Sequence, residues 1–282
     1  MQTSSADILQ TASKAALAAG SYLRDQFQQN QQLNAEYRHT VKLQADLDAD
    51  SIIIEKIRKD FPEHTILSEE SGIHHVENSD FKWMLDPLDG TSNYYRHIPH
   101  FCTSIACYSQ SGHAICGAIY DPIRDELFTA VDNGQLSLNG KQVNYQPAPS
   151  SDRMHVVMGY SKKPEFIDQA ISRYGDLVRQ VSKVRHTGCS ALDLAYVAVG
   201  RYDACTEDGI YLWDIAAALP MLKAAGLNIT VDILDSKKLQ IHISAWRENL
   251  GDFLSIPGTD KDYSSAVKTL IQQANSEYTP DV

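Results

Sequence analysis

The chain has 282 residues, of which 43% are hydrophobic and 22% are charged, a composition typical of a globular protein with one large domain or two fused halves. Its net charge of −11 comes without a basic stripe, which argues against direct nucleic-acid binding, and no apolar run approaches the ~20 residues that cross a bilayer. An acidic protein that acts on an anionic substrate needs local positive charge, which a divalent cation can supply.

The cysteines and the N-terminus indicate a cytoplasmic protein. The segment 1–7 has neither a basic stretch nor an apolar core, so no secretory signal is expected. The cysteines are odd in number and mostly lie beside apolar residues: Cys102, Cys107, Cys116, Cys189 and Cys205. This pattern favours reduced, buried thiols.

The first half of the chain predicts two helices followed by strands. Apolar residues spaced by three and four predict a helix over 6–27 and a second over about 48–59, which Pro62 ends. Short β-type runs follow at 65–68, 81–85, 103–108, 114–120 and 126–130. Turn signals follow at 133–134 and 139–140.

A Pro- and Ser-rich stretch at 146–152 predicts a seam between an N-terminal half, 1–148, and a C-terminal half, 149–282. Beyond it, strand-like and helical segments alternate: a strand at 154–158, helices near 164–179 and 190–199, a strand at 202–206 and a helix over 215–225. The first half has helices followed by strands, and in the second half strands and helices alternate. This order predicts a layered mixed α/β architecture.

Two acidic residues directly follow the strand predicted at 81–85. Asp86 and Asp89 flank Pro87, which fixes φ and removes an N–H, so a tight turn can aim both carboxylates and the Leu88 carbonyl at one point. Mg²⁺ takes six oxygen ligands and often bridges a substrate phosphate. Asp-Pro-x-Asp-Gly alone is most often just a turn, so the metal site requires further carboxylates.

The same turn contains a candidate phosphate cradle. Gly90 lets the backbone approach a ligand closely. The N–H groups of Gly90 and Thr91 can therefore point at a phosphate.

Two distant carboxylates are candidates to complete a metal site. Glu69 follows the strand predicted at 65–68, although an acidic residue in a loop is usually only solvated. Asp214 lies directly before the helix predicted over 215–225 and is expected to be its N-cap. A capping Asp can also bind a metal, and the helix N-terminus beside it favours phosphate.

These segments resemble the signatures of the inositol monophosphatase family. Segment 83–94 resembles the first signature, 213–217 the second and 67–72 the acidic loop, and further similar segments lie at 120–130, 138–140 and 187–195. Segment 96–101 is similar to the bacterial SuhB-like branch. The resemblance covers nearly the whole chain.

The resemblance implies a layered αβαβα sandwich, often dimeric, that hydrolyses phosphate monoesters with two or three Mg²⁺ ions. It implies five metal ligands: Glu69, Asp86, the Leu88 carbonyl, Asp89 and Asp214. It implies catalytic roles for Glu69, Thr91 and Asp46, the last supporting Thr91 near the attacking water. It also implies substrate contacts from Asp89, Gly90, Thr91, Glu207 and Ser190.

Three positions depart from the family pattern. Leu43 stands where the family usually has a threonine near Asp46, and segment 36–40 lacks the usual lysine of a mobile loop. Pro220 interrupts the helix after Asp214, where it should cause a kink. A proline there resembles the histidinol-phosphatase branch.

Two other metal motifs fail. Residues 46–57 open like an EF-hand loop, but Ser51 and Ile57 replace the required Gly and Glu. Cys102 and Cys107 suggest zinc, with His97 and His100 nearby, but an odd separation on a strand points the two thiols to opposite faces.

The leading hypothesis is Mg²⁺-dependent hydrolysis of inositol monophosphate, or a related polyol or sugar phosphate, by a metal-activated water in a cytoplasmic homodimer. The alternative within the family is a histidinol-phosphate or other small phosphomonoester phosphatase. The alternative from another class is a SuhB-like protein-binding factor in transcription. The intact acidic residues favour catalysis.

Overall fold

The computed structural model describes residues 4–29, 33–36, 41–132, 134–144, 147, 149–161, 163–247 and 263–274. Two helices come first, α1 (Ser5–Gln26) and α2 (Gln44–Asp60), with a small antiparallel pair, β1 (Leu33–Glu36) and β2 (Val41–Leu43), between them. Ser4 and Asp7 cap α1 reciprocally, which satisfies N–H groups that have no partner inside the helix. Helix α2 starts four residues before the predicted position.

The first sheet holds the strands of the N-terminal half. They are β3 (Thr65–Ser68), β4 (Gly72–His74), β5 (Phe81–Asp89), β6 (Cys102–Ser109), β7 (Ala114–Asp121), β8 (Glu126–Val131), β9 (Ser137–Leu138) and β10 (Lys141–Gln142), with a short helix α3 (Thr91–Tyr95) between β5 and β6. Within the described residues their order is β10-β9-β8-β7-β6-β5-β3-β4, and only the β3–β5 pair is parallel.

The C-terminal half forms the second sheet and the remaining helices. In chain order the elements are β11 (His155–Tyr160), α4 (Pro164–Leu177), β12 (Lys183–Arg185), α5 (Ser190–Ala198), β13 (Ala204–Tyr211), α6 (Leu212–Ala216), α7 (Ala218–Ala224), β14 (Asn228–Asp235), β15 (Gln240–Trp246) and α8 (Tyr263–Gln273). The described strands are ordered β12-β11-β13-β15-β14. A 3₁₀ turn at Ser151–Arg153 precedes β11.

The elements stack in five layers. Helices α1 and α2 cover one face of the first sheet, and α5, α6 and α7 lie between the two sheets. Helix α4 covers the outer face of the second sheet, where Ala170 and Leu177 pack with Val156 and Met158. The αβαβα sandwich is therefore confirmed. The division into halves at 148/149 stays a prediction, because the middle helices join both sheets in one continuous core.

Strand β6 separates two of the cysteines as predicted. Cys102 belongs to the core between the sheets, whereas Cys107 packs under α1 and α2. The two thiols therefore lie on opposite faces of the first sheet.

Pro220 breaks the helix that follows Asp214. The predicted helix over 215–225 is instead two short helices, α6 and α7, joined at Ala217. Because proline has no N–H, the Ala216 carbonyl loses its usual helical donor. The Tyr108 hydroxyl donates to that carbonyl instead, at 2.8 Å. The helical hydrogen bonding is therefore interrupted, as expected for Pro220, and a kink at this position stays a prediction.

No helix within the described ranges is both long and apolar enough to span a membrane. Residues 37–40, in the segment that lacks the lysine usual in the family, lie outside the described residues. The same holds for residue 133 of the predicted turn and for residues 145–146 and 148 at the predicted seam.

Candidate metal and phosphate site

The end of β5 carries a one-residue bulge that positions two acids. Asp86 lies opposite Ser104 of β6, and Asp89 lies opposite Cys102, so three steps on β5 match two on β6. The Leu88 N–H donates to Asp86 Oδ1 at 3.1 Å. A bulge redirects side chains at a strand end, and here both carboxylates are buried next to the middle layer.

Glu69 and Asp214 meet Asp86 around one point. One carboxylate oxygen from each of the three lies within 4.8 Å of the others. The Glu69 N–H donates to the Leu85 carbonyl at 3.0 Å, which extends the β3–β5 pairing and carries Glu69 to the end of β5. The three acids come from separate parts of the chain, so their convergence is a tertiary feature.

The N-cap position expected for Asp214 is wrong. Helix α6 begins at Leu212, so Asp214 is its third residue and Tyr211 is the N-cap. The Tyr211 N–H donates to Asp214 Oδ2 at 2.7 Å, which is the reciprocal half of a capping box. One carboxylate oxygen holds the helix start, and the carboxylate also faces Glu69 and Asp86.

The three carboxylates repel one another in a poorly solvated space. Burial raises the pKa of Glu69 and Asp86 well above the usual range, and the strongest neighbouring charges acting on them are negative. Burial and the charge of Asp89 raise the pKa of Asp214 to about 8. Close buried carboxylates are costly unless a cation or proton neutralises them.

The donor set fits Mg²⁺. Glu69, Asp86 and Asp214 offer hard oxygen ligands, which Mg²⁺ prefers, and their electrostatic surroundings favour a divalent cation. The Leu88 carbonyl, also predicted as a ligand, accepts the Thr91 hydroxyl at 3.0 Å. This hydrogen bond fixes the Leu88 carbonyl beside the Thr91 side chain.

Asp46, which was predicted to support Thr91, contacts its hydroxyl. The Thr91 hydroxyl lies 3.3 Å from Asp46 Oδ1, and the Leu43 N–H donates to Asp46 Oδ2 at 2.7 Å. Burial, followed by the charge of Glu70, raises the pKa of Asp46 to about 8. Leu43, which replaces the family threonine, is fully buried, so apolar packing stands where a hydroxyl cap would be.

Gly90 is required by its backbone conformation. Its φ is +90°, in the left-handed region, and a Cβ there would lie 3.0 Å from the His100 carbonyl oxygen. Glycine is the residue that adopts this conformation without strain. The turn predicted to cradle phosphate therefore depends on this position.

Asp89 faces a different set of neighbours from Asp86. Its Oδ2 accepts the Ala191 N–H at 2.6 Å and lies 3.2 Å from the Cys189 sulfur. Burial raises the pKa of Asp89 to about 6, while these hydrogen bonds act in the opposite direction. Asp89 thus links the end of β5 to the start of α5.

Glu207 and Ser190, both predicted to contact the substrate, lie next to each other. Glu207 is buried on β13 and is hydrogen-bonded to the Ser190 side chain. Its Oε1 occupies the space that a side chain at Gly159 would need, 2.0 Å from an ideal Cβ. Its Oε2 has no hydrogen-bond partner in the described part of the chain. Burial raises its pKa well above the usual range.

A polar network behind the turn was missed from sequence. The Asn93 amide donates to the carbonyls of His100 and Thr187, at 2.8 and 2.9 Å. His100 Nε2 lies 3.2 Å from Asp193 Oδ1. The network ties the turn after β5 to the loop before α5, and the separation of more than 90 residues left no local signal for it.

Several known proteins are similar to this chain in sequence and in fold. A family model described as the inositol monophosphatase family matches residues 4–269. The chain is 36% identical over 222 residues to the Nus factor SuhB of Escherichia coli (strain K12), covering 78% of this chain and 83% of that protein.

Two solved structures are similar over nearly their whole length. The extragenic suppressor protein suhB from Bartonella henselae matches with a TM-score of 0.80 and 30% identity, covering 94% of this chain and 98% of that one. The inositol monophosphatase from Anabaena (Nostoc) sp. PCC 7120 matches with a TM-score of 0.71 and 29% identity, covering 94% and 95%. The chain belongs to the inositol monophosphatase family.

Proposed function

We propose that this protein hydrolyses a small phosphate monoester, inositol monophosphate or a related polyol or sugar phosphate, in a Mg²⁺-dependent reaction. The convergence of Glu69, Asp86 and Asp214 within 4.8 Å carries this proposal. Three carboxylates at one point, with Asp86 buried and the other two partly buried, are costly without a cation, and Asp86 lies in the same turn as Gly90.

The metal ligands in this proposal are Glu69, Asp86, the Leu88 carbonyl, Asp89 and Asp214, which would hold two or three Mg²⁺ ions. Bound Mg²⁺ would neutralise phosphoryl oxygens, lower the pKa of a water and stabilise the leaving alkoxide. The protein contributes the fixed positions of these oxygens, which are set by the β5 bulge and the start of α6.

The polar groups of the turn would orient the reactants. Thr91 Oγ1 is held between Asp46 Oδ1 and the Leu88 carbonyl, so it can receive a hydrogen bond from the attacking water. Together with Glu69 it would direct the water at phosphorus, with a proton passing toward Asp46. The N–H groups of Gly90 and Thr91 would bind phosphate oxygens.

Glu207 and Ser190 would bind the alcohol part of the ester. Glu207 Oε2 is buried without a partner among the described residues, and a carboxylate oxygen is a natural acceptor for a sugar or polyol hydroxyl. A hydroxyl-rich substrate would therefore satisfy a group that the folded protein leaves open.

Phosphate release from a panel of monoesters, with and without Mg²⁺, tests this function. Inositol 1-phosphate should be hydrolysed with Mg²⁺ and not after chelation, and histidinol phosphate belongs in the panel because Pro220 resembles the histidinol-phosphatase branch. If histidinol phosphate has the higher kcat/KM, the alternative substrate replaces the first. Absence of Mg²⁺-dependent release from every ester contradicts the proposal.

A second candidate function is a protein-binding role in transcription. It is favoured by the 36% identity to a protein named Nus factor SuhB. Binding of the purified protein to RNA polymerase, without turnover of any ester, would favour this role over catalysis.

We also propose that the protein is a cytoplasmic homodimer without direct nucleic-acid or membrane contacts. Measurement of its size in solution tests the dimer, and cell fractionation tests the location.

A further inference from the structure

A second cluster of possible metal ligands lies behind the proposed catalytic site. One atom each from Asp89, Cys102 and Cys189 lies within 4.8 Å of the others, and all three residues are buried. The Cys189 and Cys102 sulfurs are 3.8 Å apart. Asp89 Oδ2 lies 3.2 Å from the Cys189 sulfur and 4.0 Å from that of Cys102.

These distances match the edges of a tetrahedral zinc site. Two thiolates, each about 2.3 Å from a tetrahedral Zn²⁺, lie about 3.8 Å apart, and a carboxylate oxygen lies about 3.5 Å from each sulfur. The observed separations scatter around these values before any adjustment to an ion. Three protein donors leave one position for water, as in open zinc sites.

We propose that Asp89, Cys102 and Cys189 form a binding site for Zn²⁺ and that an ion bound there inhibits the protein. Soft sulfur ligands distinguish this site from the all-oxygen cluster of Glu69, Asp86 and Asp214. Binding releases the thiol protons to solvent as the two thiolates coordinate the ion.

Inhibition follows from the shared carboxylate. Asp89 Oδ2 is held by the Ala191 N–H at 2.6 Å and faces the two sulfurs. An ion there would draw the Asp89 carboxylate away from the catalytic cations and add positive charge beside them. The binding claim stands independently of catalysis, and only the inhibition claim rests on the proposed function.

The proposed site does not include Cys107, whose thiol was expected from the sequence not to share an ion with that of Cys102. Cys107 lies opposite Cys116 on the neighbouring strand, in the core under α1 and α2. Among the described residues, no third ligand of the kind found at Asp89 joins that pair. Cys107 therefore supplies a matched control, because it is a buried thiol next to another thiol.

The test is titration of metal-stripped, reduced protein with Co²⁺ and Zn²⁺. Co²⁺ should produce a thiolate-to-cobalt charge-transfer band in wild type and in Cys107→Ala, and Zn²⁺ should displace it. Cys102→Ala and Cys189→Ser should each lose the band and weaken Zn²⁺ binding by at least about tenfold, since even indirect partners of a metal ligand contribute that much. Circular dichroism checks that each variant is folded.

Activity assays separate this site from the proposed function. Zn²⁺ should inhibit Mg²⁺-supported phosphate release by wild type and Cys107→Ala, and Cys102→Ala should retain basal activity while requiring at least about tenfold more Zn²⁺. A wild-type protein without the charge-transfer band, or equal Zn²⁺ affinity in all variants, overturns the site. The band without any phosphatase activity supports the site and contradicts the proposed function.

Discussion

Glu207 and Asp208 are neighbours on β13 and both are buried, yet their pKa values shift in opposite directions. Glu207 faces Ser190 and the middle layer, and its pKa is raised well above the usual range. Asp208 faces α4, where Arg173 and His242 contact its carboxylate oxygens at 2.5 and 2.6 Å. These partners hold the pKa of Asp208 below its usual value despite burial.

The difference extends to the two faces of the second sheet. On the outer face, Asp208 belongs to a compensated network that continues from His242 to Ser244 at 3.0 Å. On the inner face, Glu207 has acidic neighbours instead, and the charges of Asp193, Asp89 and Asp214 raise its pKa further. A buried acid with cationic partners is compensated, so removing one partner destabilises the fold, whereas buried acids facing one another indicate a site for a cation or a substrate.

The sharpest test of the inner face is Asp86→Asn. We expect about a thousandfold loss of Mg²⁺-dependent phosphate release, comparable to the loss of a strong charge-stabilising group. In metal-free buffer the variant should be at least as stable as wild type, because a repelling charge is removed. Steady-state kinetics and thermal unfolding measure both effects. Near-normal turnover would refute the assigned role of Asp86.

The matching change on the outer face is Asp208→Asn, which should act in the opposite way. Removing this charge leaves Arg173 without its carboxylate partner and should lower the free energy of unfolding by about 3 kcal/mol. Denaturant unfolding measures the loss, and activity per folded molecule should be nearly unchanged. Equal stability of this variant and wild type would show that the network contributes little.

The two faces should also respond oppositely to pH. Asp214 has a folded pKa of about 8, above the unfolded value of about 4, so metal-free stability should fall as pH rises between these values. The contribution of Asp208, whose pKa is lowered, is present above about pH 4 and is lost on acidification below it.

Mg²⁺ bound by Glu69, Asp86 and Asp214 should offset the loss of stability that is expected at alkaline pH. At a concentration of one hundred times its Kd, it should stabilise the fold by about 2.7 kcal/mol, with a much smaller effect near pH 5, where the cluster is protonated. Thermal unfolding across pH, with and without Mg²⁺, measures this. Asp214→Asn should flatten the pH dependence, and an unchanged slope in that variant would contradict the assignment.

The smallest expected effect is on substrate choice. Glu207→Gln should lower kcat/KM for inositol 1-phosphate by about tenfold, since a charge-assisted hydrogen bond to a hydroxyl is weakened. An aryl phosphate without vicinal hydroxyls should be affected much less. Equal losses on both substrates would show that Glu207 supports the site rather than the alcohol group.

Local patterns were sufficient for most elements of the fold. The apolar spacing of α1 predicted that helix to within one residue at each end, and β3 was predicted at its observed bounds. The predicted boundaries were wrong where a capping contact or the pairing of distant strands, rather than apolar spacing, set the end of an element. The helix after Asp214 begins early because the Asp214 carboxylate accepts the Tyr211 N–H, and β13 continues through Glu207 because β11 and β15 pair with it.

The sequence by itself determined the layered mixed α/β architecture and the turn at Asp86–Thr91, because periodicity, glycine and proline act over a few residues. The αβαβα class and the family were predicted from the resemblance of its motifs to a known family. Tertiary structure alone decided which acids meet. Glu69, Asp86 and Asp214 are brought together by strand pairing and helix packing, and Cys102 is placed beside Cys189 rather than Cys107. Distances between side chains remote in sequence depend on how whole layers pack, which no local pattern encodes.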